Sequence, residues 1–135
     1  MTRLILLIMI GFSAVYANDT FVDSTTGLEW QDNYASKSIK KSWNDAKSYC
    51  RDLELSGHSD WRLPTIKELQ SIVDISKYDP AIKNGFKNVA SDYYWSSSEY
   101  ADDTSDAWIV NFYFGNTHWS RKSDKDFVRC VRGRQ

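Results

Sequence analysis

Histidine and cysteine are scarce in this chain of 135 residues, two of each, and that scarcity excludes most metal and nucleophilic chemistry. A zinc site needs three or four Cys, His or acidic ligands. His58 and His118 fall in different elements, and neither carries a Ser-His-acid spacing. No enzyme activity, metal or cofactor is expected. Charge of one sign is missing too: 17 basic against 18 acidic side chains leave a formal net charge of −1. Nucleic-acid binding needs a basic footprint, so that class of partner is excluded. Internal repeats and low-complexity segments are also absent.

What is present begins with a leader. In "MTRLILLIMIGFSAVYA" Arg3 precedes an apolar run from Leu4 to Phe12, and small residues stand at Val15 and Ala17. This is the pattern of a secretory signal peptide over residues 1–17, with an apolar core too short to span a bilayer. Residues 18–135 then form a single domain with one core, secreted or periplasmic, with no membrane span after cleavage. No cysteine follows the cut, so a lipoprotein anchor is not indicated. The even pair Cys50 and Cys130 reaches an oxidising compartment, which points to a disulfide; free or catalytic thiols are the alternative. Aromatics are abundant, with six Trp, eight Tyr and six Phe.

"FVDSTTGLEW" alternates, turns at Thr26-Gly27 and resumes, the pattern of a short hairpin. "SWNDAKSYCRDL" places Trp43, Ala46, Tyr49, Cys50 and Leu53 on one helical face, with Ser42 as N-cap and Asp45 where a capping-box acid sits. In "GHSDWRLPTIKELQSIVD" Thr65 and Glu68 form a capping box behind Pro64, and the apolar spacing of Ile66, Leu69, Ile72 and Val73 predicts a helix ending near Asp74. Residues 75–92 read as a long connection. "YYWSSS", "AWIVNFYF", "THWSR" and "FVRCVR" read as strands. Gly115-Asn116 suits a two-residue hairpin turn, which would set Tyr113 opposite His118 and Phe112 opposite Trp119. Trp108, Val110, Phe112 and Trp119 would point inward; Asn111, Tyr113, His118 and Ser120 would point outward. The order of elements is that of an α+β domain.

The ordered set "DSTTGLEWQ", "W-x-x-A-x-x-Y-C", "SDWRLPTIKEL", "YWSSSE", "AWIVNF-x-x-G" and "VRCVRG" resembles the Lcl C-terminal domain family, secreted bacterial domains named after a collagen-like adhesin. The similarity runs from Phe21 to Gly133. It implies a C-type-lectin-like fold, two helices packed on antiparallel sheet, with a cysteine of the first helix paired to one in the final strand. It also implies a structural role for the Trp61–Pro64 stretch. Trp61 and Leu63 would plug the core beneath the second helix, Arg62 would bond to carbonyls or a carboxylate, and Pro64 would set the angle at which the chain enters that helix.

"WND" at 43–45 matches the letters of a lectin calcium motif but lies inside a helix, and no "EPN"- or "QPD"-type loop accompanies it. "SDKD" at 123–126 and "DDTSD" at 102–106 follow no calcium-loop spacing. Calcium-dependent sugar binding is therefore not carried over. The expected function is a binding module for a glycan or surface polymer, with Asn111, Tyr113, His118, Arg121 and Lys122 as candidate contacts. The adhesin resemblance points toward polyanions, against which the net charge speaks. The alternative is a non-enzymatic assembly subunit of an envelope or surface complex that self-associates through exposed aromatics.

Overall fold

A computed structural model describes residues 19–133; the signal-peptide reading of residues 1–17 lies outside them. The chain runs β1 (Thr20–Val22), β2 (Glu29–Gln31), a 3-10 turn (Tyr34–Lys37), β3 (Lys40–Lys41), α1 (Trp43–Asp52), α2 (Ile66–Ser71), β4 (Tyr93–Glu99), β5 (Asp106–Asn111), β6 (Asn116–Arg121), β7 (Asp126–Phe127) and β8 (Val131–Arg132). A three-stranded sheet has the order β1-β2-β8, and a five-stranded sheet the order β3-β7-β4-β5-β6. The domain is α+β, with two helices on the sheets and one disulfide. The expected antiparallel pairing has one exception: β4 and β7 are parallel.

Alternation along the central strands gives the large sheet two buried faces. Tyr94 pairs with Val110 on one face, and Trp95 with Ile109 on the other. The first face is covered by Leu69 and Ile72 of the α2 segment, by Trp30 and Val131 of the small sheet, and by Leu28 just ahead of β2. The second packs on Trp43, Ala46 and Cys50 of α1, together with Trp61 and Leu63. Trp61 and Leu63 therefore sit beside α1 and the disulfide, not beneath α2 as expected. The backbone explains this: Arg62 forms a two-way bridge with Val131, next to Cys130, at 2.9 and 2.8 Å, and that places its flanking residues on the α1 side.

The capping box of α2 is formed in both directions. The Glu68 amide donates to Thr65 Oγ1 at 3.2 Å, and the Thr65 amide donates to Glu68 Oε1 at 2.9 Å. Arg62 adds a bidentate pair, 2.7 Å from each Glu68 oxygen. Burial acts to raise the Glu68 pKa, but the bonds from Arg62 and the Thr65 amide outweigh it and hold the carboxyl below its usual range. The helix stops at Ser71 rather than near Asp74, because Val73 bridges Ile82 and the chain turns away. In α1 the Ser42 side chain makes no capping bond.

A buried ion pair fastens the long connection. Arg129, 1% exposed, donates to Asp32 Oδ1 at 3.3 Å, to the Gln31 carbonyl and to the Asn88 carbonyl. Asp32 accepts the amides of Lys87 and Asn88, each at 2.9 Å. Beside it, the Gln31 amide donates to the Cys130 carbonyl at 2.9 Å, and the Cys130 amide donates to Gln31 Oε1 at 3.1 Å.

Cys50 and Cys130 are bridged, with Cα atoms 5.5 Å apart across a sequence separation of 80. A loop of that size carries about 4 kcal/mol of chain-entropy stabilisation. The Cys50→Ser, Cys130→Ser double variant should lose roughly that amount in urea unfolding; a loss below about 1 kcal/mol would show the bridge to be dispensable.

Candidate functional site

The outer strands of the large sheet carry the exposed chemistry, and their register differs from the sequence reading. Asn111 pairs with Asn116, Ile109 with His118, and Trp108 with Trp119, so residues 112–115 form a four-residue turn. Asn111 makes the turn. Its Oδ1 accepts the Tyr113 amide at 2.9 Å and its carbonyl accepts the Gly115 amide at 2.7 Å. Gly115 has φ +85°, and a Cβ there would lie 2.7 Å from Val73 Cγ1, so only glycine fits without a shift. The slip is an even one, so each residue keeps its expected face while its partner changes.

Two corrections follow. Tyr113 does not stand beside His118; it lies in the turn against Phe114, ring centroids 4.5 Å apart. Trp119 does not point into the core; paired with Trp108 beyond the covered part of the face, it is 46% exposed. Trp119 stacks on Tyr100 at 4.8 Å with an interplanar angle of 2°. Trp108 meets both rings edge-on, at 5.1 Å from Tyr100 and 5.9 Å from Trp119. Tyr100 was missed by sequence reasoning. Only the turn at 100–106, closed by the Tyr100 amide on the Asp106 carbonyl at 3.0 Å, folds its ring back onto β6.

Of the five expected ligand residues, His118 and Arg121 are exposed and line one shallow cleft of about 470 Å³ with Tyr93, Trp119, Ser120 and Asp124. Arg121 also lines a neighbouring cleft of about 480 Å³ with Asp103, Ser105 and Asp106. Lys122 borders that second cleft, but its ammonium lies 4.2 Å above the Trp43 ring and 3.4 Å from Glu99. Asn111 is used by its turn. Tyr113 belongs to a second exposed group, with Phe114, Ile75 and Tyr78. There the Asp79 amide donates to the Tyr113 carbonyl at 2.8 Å.

Among the described residues no group of three or more His, Cys, Asp or Glu is placed to hold a metal ion. No helix among them is long and apolar enough to cross a membrane. The Lcl C-terminal domain family matches residues 19–132. The chain belongs to the Lcl C-terminal domain family. No curated protein matches it. Membership in the Lcl C-terminal domain family and the disulfide agree with an extracellular setting and a surface-associated domain.

Near Ser120 and Asp124 of the first cleft, Asp126 is 7% exposed and its Oδ2 has no hydrogen-bond partner. Burial pushes its carboxyl from 3.8 up to about 6; a bond from Ser120 and the charge of Lys40 oppose the rise, and Asp124 and Asp92 add to it. Because the folded pKa is the higher one, this group's contribution to stability is complete below about pH 4 and is lost as pH rises through about 6. Asp126→Asn should therefore gain stability over the wild type at pH 7–8, with the gap closing toward pH 4. Thermal unfolding across that range checks this; a gap independent of pH would contradict it.

Proposed function

We propose that this domain is an exported, non-enzymatic binding module that holds a glycan or surface polymer against the Tyr100–Trp108–Trp119 cluster. The observation that carries the reading is an exposed Trp119 on the edge strand, stacked on the half-buried Tyr100 of the 100–106 turn, in a sheet whose inner strands are buried on both faces. Sugar rings present flat C–H faces that pack on Trp and Tyr, and a few polar groups at the rim fix their orientation. Arg121 supplies such a group on the face of Trp119, and His118 and Ser120 line the same cleft from the other face of β6. The C-type-lectin-like architecture implied by the family fits this use, with the ligand held on outer strands and loops and no calcium motif required.

The assembly reading keeps one supporting observation. Ile75, Tyr78 and Phe114 are exposed large side chains on two adjoining loops, and solvent-facing groups of this kind mark contact surfaces. The two readings separate by experiment. On a glycan array the domain should give selective signals that Trp119→Ala abolishes without moving Tm, while Phe114→Ser leaves them unchanged. Absence of any array signal from folded protein, together with a light-scattering oligomer that Phe114→Ser dissociates, would replace binding with assembly.

A further inference from the structure

The charges around the aromatic cluster define the ligand further. Asp106 lies opposite Arg121 in the β5–β6 register, on the same face as the Trp108–Trp119 pair. The turn that carries Tyr100 also carries Asp102 and Asp103, both exposed. Burial and then the charges of Asp102, Asp106 and Asp103 raise the Tyr100 phenol above its usual range, so all three carboxylates act on that ring. Asp124 closes the other side of the cleft beside Trp119. Among the described residues lining the two clefts, Arg121 is the exposed permanent cation set against these four carboxylates, with the imidazole of His118 beside it; Lys122 is engaged by Glu99 and Trp43. The rim is acidic although the chain as a whole is nearly neutral.

Resting on the glycan reading above, we infer that the Tyr100–Trp119 platform selects a glycan bearing free amines, a polymer of de-N-acetylated hexosamine, and disfavours sulfated or uronic-acid chains. Two physical terms point the same way. An ammonium group is attracted to the face of an aromatic ring and to the carboxylates at the rim of the cleft. A sulfate would meet those same carboxylates with like charge. The hexosamine ring supplies the flat surface for the stack, and its amine supplies the charge for the rim.

The test is calorimetric titration of the protein with a fully deacetylated glucosamine hexamer, its N-acetylated counterpart, a heparin hexasaccharide and an oligolysine of matched charge. The work is done near pH 5.5 at low salt. The deacetylated hexamer should bind at least tenfold more tightly than the acetylated one. Raising the salt should shrink that advantage, Asp102→Asn should weaken it several-fold, and Arg121→Gln should enlarge it. Trp119→Ala should remove binding of the hexamer. Equal binding of the two chito-oligomers, or tighter binding of heparin, would overturn the charge preference and leave the glycan reading standing. Oligolysine binding as tightly as the amino-glycan would overturn the sugar requirement. No binding of any saccharide would overturn both.

Discussion

The ion pair of Arg129 with Asp32 is the contact on which the rest of the structure depends. Two charges taken out of water are costly unless each finds a partner and its remaining polar atoms are bonded. Here Asp32 satisfies Arg129 and also two amides of the long connection. The guanidinium lies over Phe86 and Tyr94, at 4.9 and 5.6 Å. One interaction thus fixes the end of β2, the segment after β7, and the chain leading into β4. Its sequence neighbours Gln31 and Cys130 bond to each other, and the disulfide extends the joint to α1. Removing either charge would leave the other buried and alone, a loss of about 3–5 kcal/mol in such pairs.

That joint has a consequence for the site. With the connection held down and α1 and α2 on opposite faces, β4 and β5 are buried on both sides, whereas β6 is an edge. The other edge, β3, is two residues long and both are lysine, which discourages pairing with another chain. On β6 the side chains beyond the covered area lie in the open, so Trp119 finds Tyr100 and Trp108 instead of a core. The covered sheet supports Trp108 and Trp119, and the 100–106 turn supplies Tyr100 and the acidic rim.

Much of the architecture was legible because it rests on local chemistry. The α2 capping box needs only Thr65 and Glu68 at their spacing; the N-terminal hairpin needs Gly27, which has φ +74°. The disulfide followed from compartment, count and resemblance together. What was not legible depends on distant contacts. The turn after β5 reads as two residues until Asn111 is seen to bond forward to Tyr113, and until Val73 and Ala81 are seen to crowd Gly115. Trp119 reads as core because its strand alternates, and only the limit of the covering elements leaves it outside. Arg129 sits in "FVRCVR" as an ordinary strand position, and nothing nearby announces that Asp32 awaits it. Faces were recovered and partners were not, so the candidate site was found only in part: His118 and Arg121 belong to it, Tyr100 and Trp119 had to come from the structure.

Native-state amide hydrogen exchange tests the central claim most directly. If the Arg129–Asp32 pair locks the connection to the core, the amides of Lys87 and Asn88, which Asp32 accepts, should exchange only through the opening that frees β4 and β5, with matching opening free energies. Exchange of these two amides at the rate of an unprotected loop, while the strand amides remain slow, would contradict the account.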